Sequence, residues 1–187
     1  MSKVEWKPGT MVYPVPAVMV SLGDMDNSNI ITCAWTGTIC SDPAMTYISI
    51  RKERYSYDII NKTKEFVINL TTKDLVRATD WCGVRSGKDY DKFKECNLTK
   101  EKCNHVNCPQ IKESPISIEC RVVETKDLGS HTMIMAEVLC VSADEKYFDE
   151  NDKFCLEKAN LVAYSHGQYY LLGENLGKFG FSVKKEK

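Results

Sequence analysis

The stretch NIITCAWTGTICSDPAMTYISIRKERYSYDIINKTKEFVINL, residues 29–70, decides how the rest of the chain is read. It holds two strand-like runs, Thr32 to Cys40 and Met45 to Ile50, rich in the β-branched and aromatic residues that suit a pleated, half-buried surface. Ser41, Asp42 and Pro43 between them are turn formers, so the runs are joined by a tight turn. After Ile50 the alternation stops. Tyr57, Ile60 and Lys64 then fall along one side of a helix, and Phe66 to Leu70 resumes a strand. Arg51, Lys52, Arg54, Tyr55, Ser56 and Tyr57 stand at the junction. Two readings are open here. Helix N–H groups, a serine hydroxyl and guanidinium groups together make a phosphate cradle. A strand-to-helix junction with a solvated basic face has the same composition, because Arg and Lys are mostly surface residues.

Outward from this stretch the chain reads as antiparallel β construction. Met11 to Leu22 is apolar but interrupted by Pro14 and Pro16, which suits a lead-in or an edge and leaves Ala17 to Leu22 as the first barrel strand. The turn-rich segment from Gly23 to Asn29 makes a hairpin with the next strand. Downstream, Thr72 is placed to cap a short helix carrying Leu75, Val76, Ala78 and Trp81 or Cys82. Gly83 to Lys102 is a long polar loop and Cys103 to Ile111 a further crossing loop; loops of that length in a compact domain are commonly functional. Ile116 to Thr125 and His131 to Ser142 form a hairpin around the turn Asp127 to Ser130, and Tyr169 to Leu171 adds a last strand.

The 187 residues suffice for one domain with a substantial core, and 1–187 is read as a single domain. A formal net charge of −1 gives no electrostatic reason to expect nucleic acid or an anionic membrane. No apolar run approaches the roughly 20 residues that span a bilayer, and MSKVEWKPGT lacks the apolar core of a signal peptide, so a soluble, cytoplasmic protein is expected. Nine cysteines, an odd number, are then reduced thiols, with Cys33, Cys40, Cys120 and Cys140 as small core residues. Cys96, Cys103, His105 and Cys108 carry zinc-type donors, but their spacing fits no paired CxxC knuckle, and no metal site is assigned. Dinucleotide-binding GxGxxG, phosphate-loop and GxSxG patterns are all missing.

The order of the pieces resembles the flavin reductase-like family, the FMN-binding split β-barrels that include flavoredoxin. It rests on a strand with Asn29, Thr32, Ala34, Trp35 and Thr36, a proline turn, a strand ending in Ser49 and Arg51, and Tyr55-Ser56 opening a helix. SGKDYDKF (86–93), DLGSHTMIMAEV (127–138) and YYLLGENLGKFGFS (169–182) look like later landmarks of the same family in the same order.

The resemblance implies a mainly β fold with short helices, an antiparallel split β-barrel of the FMN-binding type, with FMN as cofactor and NAD(P)H as electron donor. Backbone groups of Thr32 to Thr36, including Ala34, would meet the pyrimidine end of the flavin, and Asn29 and Thr32 would add side-chain contacts. Ser49, Arg51, Tyr55 and Ser56 would hold the ribityl chain and phosphate, with Lys92 as a second cation and Arg54 as a further candidate for the same anion. Trp35 is placed either by the ring or in the barrel core; Lys92 and Phe93 either reach the flavin or are a solvated lysine and a core ring. His131, by itself a surface or hydrogen-bonding residue, becomes the catalytic candidate beside the flavin's reactive edge. The family also implies a homodimer with FMN near the seam. Two functions stay open: an NAD(P)H-dependent flavin reductase or reductase of a small acceptor, and a flavoredoxin-like carrier that exchanges electrons with a partner protein.

Overall fold

The computed structural model describes residues 2–183. In chain order it contains β1 (Val15–Pro16), β2 (Val18–Gly23), β3 (Ser28–Cys33), β4 (Thr36–Ser41), β5 (Ala44–Ile50), α1 (Tyr55–Thr63) and β6 (Glu65–Leu70). There follow α2 (Val76–Val84), α3 (Lys92–Glu95), β7 (Lys100–Glu101), β8 (Gln110–Ile111), β9 (Ile116–Asp127), β10 (Thr132–Ala143), β11 (Val162–Ser165) and β12 (Gln168–Leu171). Seven strands make one antiparallel sheet in the order β3-β2-β6-β9-β10-β5-β4.

That order explains the barrel. β3 and β4 are consecutive in sequence, joined only by Ala34 and Trp35, yet they lie at opposite ends of the sheet. Two residues span only a few ångströms, so the sheet must curl until its ends meet. The Ser49 N–H donates to the Trp35 carbonyl at 2.8 Å and fixes that junction, while β3 and β4 themselves stay unpaired. The result is the expected split antiparallel β-barrel, mainly β with short helices. The single run expected over Thr32 to Cys40 is therefore two strands, broken where the chain crosses the split.

Alternation along each strand fills the barrel. Val18, Val20 and Leu22 of β2 join Ile31, Ile48, Phe66, Ile68, Ile134 and Ala136 inside, with Ile60 of α1 closing one end. The opposite face of β2 is also covered: Met19 packs with Ile30, Leu75, Cys82, Phe93, Leu98 and Ile111 beneath α2 and α3. This two-sided burial is why the first strand reads as a continuous apolar run rather than an alternating one.

Some expectations are corrected. Thr72 does not cap α2; it forms a bridge with Leu161, and α2 begins after Leu75 with no side-chain cap. Cys40 and Cys140 are only half-buried, Cys40 because β4 is an edge strand, whereas Cys33 and Cys120 are core residues as expected. β12 is present, but it pairs with β11, and β11 pairs with β1, in a separate three-stranded sheet. All nine cysteines are free.

Candidate functional site

The chain leaves β5 at Ile50, turns through Arg51 to Arg54 and enters α1 at Tyr55, whose first turn no side chain caps. The first N–H groups of a helix have no intrahelical partner and favour an anion. A cavity of about 230 Å³ opens at this point. Arg51, Arg54, Arg85 and Lys92 stand in its wall against one carboxylate, Glu53, with Tyr55, Ser56, Ser86 and Asn29 among its polar groups. Glu53 is engaged by Arg51 at 3.4 Å, and Arg54 donates to the Gly83 carbonyl at 3.3 Å, which ties the α1 junction to the end of α2. The compartment is therefore strongly cationic.

Its floor is built from buried polar groups. Lys92 is 4% exposed, and its Nζ donates to the carbonyls of Ile30 and Cys82, both at 2.7 Å. Burial pulls the ammonium below the usual lysine range. The Asn29 Nδ2 donates to the Ser56 Oγ at 2.9 Å, while Asn29 Oδ1 is buried with no protein partner. Buried amide oxygens are seldom left unpaired, so this one is available for a donor from a bound molecule. Gly87 lies directly against it: a Cβ at that position would overlap the Asn29 carboxamide. Glycine here permits a close backbone approach that no side chain allows.

A second cavity, of about 140 Å³, adjoins the first and shares Ile31, Arg51 and Arg54 with it. Its wall is the end of β3 and the crossing segment, Thr32 to Trp35, together with Ser49, Ile50 and His131. The Thr32 hydroxyl donates to the Thr79 carbonyl on α2. Trp35 packs at 6.2 Å from the Tyr13 ring, so it belongs both to the cavity wall and to an aromatic group with Tyr13 and Tyr164. His131 stands one residue before β10, its Nδ1 2.9 Å from the Ser130 hydroxyl. Partial burial, aided by the Arg51 charge, holds its pKa below the ordinary histidine value.

The structure thus brings Asn29, Arg51, Arg54, Tyr55, Ser56 and Lys92 around one compartment, and Thr32, Ala34, Trp35, Ser49 and His131 around its neighbour. Two candidates stand apart. Thr36 is buried on β4 and donates to the Tyr47 carbonyl at 2.7 Å, and Phe93 packs into the core beneath β2; neither lines the cavities. Arg85, Ser86 and Gly87 were not among the sequence candidates. Their signal was there: the landmark SGKDYDKF opens with Ser86 and Gly87, and Arg85 stands just before it. Cys96 sits beside Cys82, whereas Cys103 and Cys108 share a separate cluster with Val67 and Val106; no group of three or more metal-type donors converges among the described residues.

The sequence matches the family model described as a flavin reductase like domain over residues 10–172. It is 31% identical over 139 residues to an uncharacterized protein of Pyrococcus abyssi, a match spanning 74% of this chain and 80% of that one. Flavoredoxin of Desulfovibrio vulgaris (Miyazaki F) superposes with a TM-score of 0.90 at 31% identity, covering 98% of this chain and 100% of the other. The FMN-binding protein from Thermus thermophilus with bound 1-cyclohex-2-enone has the same fold, with a TM-score of 0.79, 19% identity and coverage of 95% and 99%. No helix among the described residues is long and apolar enough to cross a membrane.

Proposed function

Because the chain belongs to the flavin reductase-like family, we propose that it is an FMN-binding oxidoreductase that takes electrons from NAD(P)H and passes them to flavin or a related small acceptor. The observation that carries this reading is the pairing of a cationic compartment with a less charged neighbour across the shared Arg51 and Arg54. A molecule with a phosphate at one end and a neutral planar ring at the other matches that division. Arg51, Arg54, Arg85, Lys92 and the start of α1 would hold the phosphate through charge-assisted hydrogen bonds. Asn29 Oδ1, the unpaired buried acceptor, would take a hydroxyl of the ribityl chain. Thr32 to Trp35 and Ser49 would border the ring, and the neutral imidazole of His131 would orient the nicotinamide or the acceptor. When bound, the ring supplies the redox chemistry, and the residues around it bind, orient and screen.

The fold's likeness to flavoredoxin over both full chains favours a second reading, a carrier that exchanges electrons with a partner protein. The protein is proposed to work in the cytoplasm, with its thiols free, as a homodimer in which FMN lies near the seam. One pair of measurements tests the first reading against the second. Protein soaked in FMN and desalted should stay yellow, and should oxidise NADH or NADPH with added FMN over many turnovers. A colourless protein would sink both readings; a yellow one without nicotinamide turnover would leave only the carrier.

A further inference from the structure

Outside the roles proposed above, the protein holds a pair of thiols in contact. The Sγ atoms of Cys82, near the end of α2, and Cys96, just after α3, lie 3.8 Å apart, and no other thiol pair among the described residues is within hydrogen-bonding reach. The two open to different sides. Cys82 is buried and borders the cationic compartment; Cys96 is half-buried and borders a separate cavity of about 440 Å³ beside Leu75, Trp81 and Asn97.

We propose that Cys82 and Cys96 are a dithiol that closes to a disulfide when a peroxide reaches Cys96, and that this locks the wall of the cationic compartment. The chain between them carries Val84, Arg85, Ser86, Gly87 and Lys92, every wall residue that the long polar loop supplies. Lys92 already couples the two ends, because its Nζ donates to the Cys82 carbonyl while its own carbonyl accepts the Cys96 N–H at 3.2 Å. A disulfide would add a covalent link to a clasp already in place.

The chemistry balances. Cys96 is the more accessible thiol and is attacked first: its thiolate displaces hydroxide from hydrogen peroxide and becomes a sulfenic acid. The Cys82 sulfur then attacks the Cys96 sulfur, and its proton leaves with the sulfenic hydroxyl as water. In sum, two thiols and one hydrogen peroxide give a disulfide and two waters. Burial raises the Cys82 pKa to about 12 and also raises that of Cys96, so little thiolate stands at neutral pH and closure is slow there and quickens as the pH rises.

Closing a loop by a disulfide removes open conformations of that loop. The wall should then release a bound molecule more slowly, by about tenfold for FMN if loop opening limits its exit; this second part rests on the function proposed above. The test uses the full chain, treated with one equivalent of hydrogen peroxide or with dithiothreitol. Non-reducing tryptic mapping should show peptide 78–85 joined to 95–100, two hydrogens lighter than their sum. Limited trypsinolysis of the folded protein should cut more slowly at Arg85 and Lys88 after oxidation, with no FMN present. Cys96→Ser should abolish both changes and keep its FMN release rate constant under peroxide. Cys96 oxidised without the link, other cysteines linked in preference, or unchanged cutting at Arg85 would overturn the proposal. The linked peptide and slower cutting in a protein that never binds FMN would uphold the dithiol and count against the proposed function alone.

Discussion

Gly87 and Asn29 set the tightest constraint in the site, because any side chain at position 87 would overlap the Asn29 carboxamide. Gly87→Ala should push the Asn29 side chain aside, break its bond to Ser56 and weaken FMN binding by about 1 to 3 kcal/mol, the cost of disturbing a buried polar group. Isothermal titration with FMN checks this; unchanged affinity would mean that the unpaired oxygen is not a ligand contact. His131 makes a different kind of claim. Burial first, and the Arg51 charge second, favour the neutral ring, so its NMR titration midpoint should lie below 6.5 and nicotinamide-dependent turnover should persist into mildly acid pH. Arg51→Ala should raise that midpoint. His131→Ala should leave FMN bound and slow its reduction; loss of FMN instead would make His131 a binding residue.

At the scale of elements, α3 is the least self-sufficient piece and the one the site depends on most. It has four residues, too few for helical cooperativity, and is held by Asp91, which accepts from the N–H groups of Phe93 and Lys94 at 3.1 and 3.3 Å. Phe93 anchors it in the core, and that anchor aims Lys92 into the cavity floor. Asp91→Ala should cost about 1 kcal/mol of stability, as other lost helix caps do. Urea denaturation would show this, and FMN affinity should fall with it as Lys92 loosens. This segment also marks where sequence reading stopped. Strands β2, β5 and β6, α1 and the β9-β10 hairpin were legible because their apolar spacing follows burial, on one face for most and on both for β2. The crossing at Ala34-Trp35 was not, because Thr32 to Cys40 keeps strand-like composition through a bend imposed by barrel closure. Arg85, Ser86 and Gly87 were missed for a related reason: a polar loop has no periodicity, and only the folded chain brings it against Asn29 and Ser56. Phe93 was open as ligand or core, and burial beneath β2 decides for core packing.

For the whole molecule the question is what covers its apolar margin. Leu176 and Phe179 are 86% and 109% exposed, and Leu172, Phe181 and Trp6 are also largely open, so both ends of the described chain carry apolar side chains that its own barrel does not cover. β4 is an unpaired edge beside the split, with Ile39 exposed. Burying such side chains stabilises by about 1.5 to 3 kcal/mol each, and a second copy laid across the split would bury several on both subunits. The protein should therefore sediment as a dimer, at twice its 21.3 kDa chain mass. The pair Leu176→Ser and Phe179→Ser, neither of which lines the two cavities, should weaken dimerisation by about 3 to 6 kcal/mol per subunit. Because the second cavity borders the crossing segment at the split, FMN affinity should fall together with dimer affinity in that variant. A variant that sediments as a monomer yet binds FMN as tightly as the parent would show that each barrel forms a complete site alone.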